Sequence, residues 1–147
     1  MSKARKLIEK EINPDTLSGQ TLAYLGDGVY EAAIRRHLIL GGMLKPQNLQ
    51  REATYYVSAK AQAGLIAKMK EVGFLSNDEV VAYKRGRNAK VHTKAKHTSL
   101  ATYQMSTGFE AVIGYLDLSG KKERVQEIIS WCIEEVENGG IDAYAFE

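Results

Sequence analysis

Two carboxylates stand where carboxylates are costly. Asp27 lies in LAYLGDGVYEAAI, an apolar run with Gly26 and Gly28 on either side of it, and Glu110 lies in MSTGFEAVIGYLDL, between Phe109 and Ala111, with Gly108 and Gly114 close by. A carboxylate in such surroundings needs a partner. Magnesium is one, because a hard cation takes carboxylate oxygens as ligands. A buried Arg or a Tyr hydroxyl is another, and the pattern alone leaves both open. Glu31 falls four residues after Asp27, one helical turn on and on the same face. Glycine in a helix interior costs about 1 kcal/mol relative to alanine, so the glycines beside Asp27 point to close approach of another helix or of a ligand.

The second chemical feature is a block of positive charge. The chain nets only +2, yet Val80 to Phe109 contains no Asp or Glu and holds Lys84, Arg85, Arg87, Lys90, Lys94 and Lys96, with His92 and His97 among them. Val125 to Glu147 is the reverse, with six acids and no Lys or Arg. A basic run can be a solvated loop kept soluble by its charge. Here the segment YKRGRNAKVHTKAKHT mixes Arg, Lys, Gly, Asn and Thr, all able to contact phosphate oxygens, and Val91 is its single large aliphatic residue. It adds little to a core, and a phosphate-binding loop is the better reading. Acids for a divalent metal beside cations for a polyanion is the arrangement a metal-dependent nuclease needs.

Helices must position these groups. Apolar residues recur at helical spacing, as in Leu22, Leu25, Val29 and Ala33 or Val125, Ile128, Ile129 and Cys132, and no sustained period-two alternation occurs. The pattern predicts helices over 4–11, 19–40, 46–56, 58–72, 77–85, 99–118 and 121–138, with a loop over 86–98. Gly41-Gly42 ends one helix, Lys45-Pro46 opens the next, Ser58 is a weaker N-cap candidate, and Ser76 with Glu79 suits a capping box. The expected fold is all-α, a single domain over residues 1–147.

Composition narrows the class further. With 147 residues, 44% hydrophobic and 26% charged, the chain is ordinary for one globular domain and unlike a disordered or collagenous polymer. No stretch is long and apolar enough to span a bilayer, and the start has no signal-peptide core, so a cytoplasmic protein is expected. Cys132 is the single cysteine, which excludes an internal disulfide, and His37, His92 and His97 have no cysteine near them for a zinc site.

The ordered motifs resemble a known family. LAYLGDGVYE is similar to the signature helix of ribonuclease III, and STGFEAVIGYL to its second acidic helix. The match is closer to the small Mini-ribonuclease III branch, through KPQNL after Gly42, KRGRNAK from Lys84 to Lys90 and TYQMSTGFEA. It covers roughly residues 18 to 120. The resemblance implies a ribonuclease III-like helical endonuclease domain with Asp27 and Glu110 as metal-binding catalytic acids. Full-length ribonucleases III carry two further acids, four positions before the first and three before the second; here those places hold Ala23 and Thr107. Water or Glu31 could fill the vacated ligand positions.

The resemblance further implies a homodimeric, magnesium-dependent endoribonuclease of double-stranded RNA, each protomer cutting one strand and leaving short 3′ overhangs, with the precursor of 23S ribosomal RNA as substrate. No double-stranded-RNA-binding domain is expected, which leaves affinity to the basic segment, Lys84, Arg85, Arg87, Lys90, Lys94 and Lys96. The dimer expectation places the helix around Leu22 to Ile34 at the interface, because its apolar residues occupy more than one side and Gly26 and Gly28 would admit a partner backbone. The competing readings are a catalytically silent RNA-binding dimer of the same fold, suggested by Ala23 and Thr107, and a helical nucleotide phosphohydrolase, which would want paired histidines and acids.

Overall fold

A computed structural model describes residues 3–91 and 97–146. His92, Lys94 and Lys96 lie outside the described residues. A short 3-10 turn, Pro14–Thr16, leads into six helices: α1 (Gly19–Leu40), α2 (Pro46–Val57), α3 (Ala59–Glu71), α4 (Asn77–Arg87), α5 (Leu100–Leu118) and α6 (Lys122–Glu137). No strand occurs among the described residues, as the periodicity predicts.

Helix starts are written in serines. Ser18, Ser58 and Ser99 each accept a hydrogen bond from the backbone N–H three residues on, and Ser76 with Glu79 forms the expected reciprocal capping box. Pro46 occupies the first turn of α2, where its missing N–H costs nothing, and Gly42 leaves α1 with φ +96°.

Two places differ from expectation by more than one residue. Residues 3–13 form no helix: Leu7 and Ile8 are each 79% exposed and have no surface of the protomer to cover them. A helix of that length is marginal in water without a buried face. In the other direction α4 runs on to Arg87, two residues into the expected loop, because Gly86 is seated against Gly108 and Ala111 of α5. That contact needs helical backbone at a residue whose own propensity disfavours it.

Helix α5 is the centre of the fold, with α1, α4 and α3 packed around it. Its stretch Ala111 to Leu116 is buried throughout, and Tyr30 of α1 meets Phe109 edge to face at 4.9 Å. The Tyr30 hydroxyl is satisfied by the Tyr56 carbonyl oxygen at 2.9 Å, joining α1 to α2. On the flank, α6 is tied down by polar contacts: Arg124 to Glu79 at 2.8 Å, Lys68 to Glu135, and Glu137 to both His37 and the Tyr56 hydroxyl.

Candidate active site

The acid pair is made by a helix crossing. At Gly26 a β-carbon would fall on the backbone carbonyl of Glu110, and at Gly114 on that of Leu22, so α1 and α5 approach closer than any side chain allows. The neighbouring residues Asp27 and Glu110 are thereby brought to one place. Asp27 is exposed, Glu110 is half-buried, and the Glu110 carboxyl lies within hydrogen-bonding reach of Asp27. Gly28, in contrast, faces open space. The sequence expectation that Gly26 admits a partner chain is therefore corrected: Gly26 admits α5 of its own chain.

Electrostatics at the pair follow from the geometry. Burial pushes the Glu110 carboxyl up to about 8, and the charge of Asp27 and its hydrogen-bonding contact push the same way. Glu31 adds to the rise, while a hydrogen bond from Gln62 opposes it. A recessed carboxyl beside a second one is a poor resting place for negative charge and a good one for a divalent cation. Glu31 itself is engaged by Arg35, Nη2 to Oε2 at 2.8 Å. No group of three His, Cys, Asp or Glu able to hold a metal occurs among the described residues. A metal held at this place would take carboxylate oxygens of Asp27 and Glu110 as its protein ligands. Magnesium fits such a set, since it keeps several waters and takes phosphate oxygens of the substrate.

Sequence reasoning missed Gln62. It is 2% exposed on α3, and its Nε2 donates to Glu110 Oε2 at 3.4 Å and to the Val57 carbonyl at 3.3 Å. The signal was present, an amide inside the apolar run AKAQAGLIA, but nothing local says what it faces.

Of the basic residues, Lys84 and Lys90 are exposed and Arg87 lies over the Tyr83 ring, 5.6 Å from its centroid. Arg85 behaves otherwise. Its Nη1 donates to the carbonyls of Pro14 and Leu17, both at 3.3 Å, so it ties the turn before α1 onto α4. A residue expected as a phosphate contact in the basic segment thus has a structural tie of its own.

These helices match proteins already known. The Ribonuclease III domain family matches residues 20–121, more than two thirds of the chain. The chain belongs to the ribonuclease III family. Within it, the Mini-ribonuclease 3 of Streptococcus pneumoniae is 56% identical over 86% of this chain and 98% of its own length, and that of Enterococcus faecalis is 52% identical over 82% and 91%. A crystal structure of a Fusobacterium nucleatum protein superposes with a TM-score of 0.71 at 29% identity, covering 81% of this chain and 93% of that one. Family and relatives make the protein an endoribonuclease of the Mini-ribonuclease 3 branch.

In this ribonuclease III the two replaced acids have structural occupants. Ala23 is buried in the core, and the Thr107 hydroxyl donates to the Tyr103 carbonyl at 3.1 Å. Thr107 also lines a cleft of about 180 Å³ with Gln20, Tyr103 and Lys90, at the root of the basic segment. Lys90 is held there through its carbonyl by the Gln20 amide. One turn along α5 thus separates the cleft from Glu110.

Proposed function

We propose that this endoribonuclease cleaves double-stranded RNA with magnesium held by Asp27 and Glu110, as a homodimer in which each protomer cuts one strand. The observation that carries the reading is the Asp27–Glu110 contact imposed by the Gly26–Gly114 crossing. It brings two carboxyl groups to one place, which suits a cation and a passing phosphate.

Each residue then has a task. Asp27, exposed on α1, and Glu110, recessed on α5, present carboxylate oxygens to one point from two helices. Glu31 reaches the same electrostatic neighbourhood and would have to leave Arg35 to serve as a third ligand. When bound, magnesium supplies polarisation of an attacking water and charge stabilisation at phosphorus and the leaving 3′ oxygen. Lys84, Arg87 and Lys90, followed in sequence by Lys94 and Lys96, neutralise RNA backbone charge; Arg85 serves by fixing the helix that carries the first of them. Duplex RNA is recognised through shape, 2′-hydroxyls and phosphates, so these residues imply little base specificity.

Two active centres at a fixed offset require a second copy. Tyr24, 86% exposed beside the open Gly28 on α1, gives the dimer an apolar surface to bury. The substrate proposed from the resemblance is the precursor of 23S ribosomal RNA, in one domain acting in the cytoplasm; among the described residues no helix is long and apolar enough to cross a membrane.

The deciding experiment compares wild type with Asp27→Asn and Glu110→Gln on long duplex RNA, with magnesium and with EDTA. Cleavage only by wild type with magnesium supports the reading. Near-normal turnover of either variant overturns that residue's role, and duplex binding without cleavage by wild type means a silent RNA-binding dimer.

A further inference from the structure

The Gln62 amide has two N–H groups and two acceptors. One acceptor is Glu110 Oε2 and the other is the Val57 carbonyl, left without an intrahelical partner at the end of α2. Two bonds from one planar NH2 group fix the amide's orientation, and through it the rotamer of the carboxylate it meets. The amide cannot be reversed against an ionised Glu110, because its carbonyl oxygen would then face two acceptors. Gln62 is also fully inside the protein, so α3 and the end of α2 hold it as a rigid bracket.

Charge explains why the residue is an amide. A Lys or Arg at position 62 would satisfy Glu110 as an ion pair and repel the cation the site has to attract, whereas a Glu would add a third negative charge with no donor. A neutral donor orients the ligand and leaves its charge available.

We propose that Gln62 is a positioning residue for the metal site: by taking Glu110 Oε2 it aims Oε1 toward Asp27, so that the two carboxylates present one divalent cation with a preset pair of oxygens. The proposal rests on the reading of Asp27 and Glu110 as the metal ligands.

The test uses the full chain and Gln62→Met, which keeps the length of the side chain and removes the donor. Binding of Mn2+ to RNA-free protein, followed by the EPR signal of free Mn2+, should weaken about 10- to 100-fold, the usual effect of losing a partner of a ligating carboxylate. The Mg2+ concentration for half-maximal cleavage should rise in parallel, and the rate should recover at saturating Mg2+. A role in packing alone would lower the melting temperature and leave Mn2+ affinity and the Mg2+ midpoint unchanged, which would overturn the proposal. A second measurement needs no stable variant. In wild-type protein the Gln62 side-chain NH2 resonances should shift on titration with Mg2+, and resonances that stay fixed while Mg2+ binds would also overturn it. Glu110→Gln separates the two readings, because Mn2+ binding unaltered in that variant refutes the metal site itself, whatever Gln62 does.

Discussion

Gly26 of α1 lies against the backbone carbonyl of Glu110 on α5, with no room for a β-carbon between them. Asp27 follows Gly26 in the chain, so this contact sets the distance between the two catalytic candidates. Packing of two helix backbones and assembly of the acid pair are one event.

Substituting that glycine should therefore damage both. Gly26→Ala is expected to destabilise the fold by about 1–3 kcal/mol through overpacking and to reduce cleavage even in the folded fraction. Gly28→Ala, whose β-carbon meets nothing in the protomer, should keep or raise stability by up to about 1 kcal/mol. Urea unfolding of both variants checks the contrast; equal destabilisation would mean that the crossing is looser than described.

The basic residues should separate by role. Arg87→Gln and Lys90→Gln are expected to weaken duplex binding and to lower the slope of log affinity against log salt by roughly 1 each. Arg85→Gln should instead cost about 0.5–1.5 kcal/mol per lost hydrogen bond to the Pro14 and Leu17 carbonyls, with the slope little altered. Binding titrations at several salt concentrations, beside thermal melts, distinguish them.

Stability should depend on pH through Glu79. Burial alone would raise this carboxyl, but hydrogen bonds from Arg124 and from the Ser76 backbone N–H, with the Arg124 charge, hold it below its ordinary value of 4.5. A carboxyl lowered in the folded state stabilises above its unfolded value, and that contribution is lost as pH falls through the folded value. Wild type should therefore be more stable than Glu79→Gln at pH 7, and the difference should shrink steadily below about pH 4.5. Arg124→Met, which strands the buried carboxylate, should be worse than Glu79→Gln at pH 7, by an amount approaching about 3–5 kcal/mol relative to wild type. Melting curves from pH 7 to 3 test the sign.

A charge on the open face of α1 should act on assembly alone. Tyr24→Glu is expected to shift sedimentation from dimer toward monomer and to abolish paired cuts in duplex RNA, while the far-UV circular dichroism stays unchanged because Tyr24 packs on little of its own protomer. A variant that remains dimeric would place the interface elsewhere.

The six helices, the starts at Pro46, Ser58 and Ser76 and the positions of Asp27 and Glu110 on two of the helices were legible in the sequence. Apolar period, caps and helix-breaking glycines act within a few residues of where they are written. The same local reading overstated residues 4–11, because local sequence says nothing about whether a surface exists to bury Leu7 and Ile8. Which glycine serves the fold was undecidable from spacing, since Gly26 and Gly28 differ only by the 200° that two residues turn, and only the location of α5 assigns the crossing to one of them. Gln62 and Arg85 show the same limit. Their partners, Glu110 and Pro14, lie 48 and 71 positions away, and the sign and strength of a polar contact are set by the group across the interface, which the tertiary structure alone supplies.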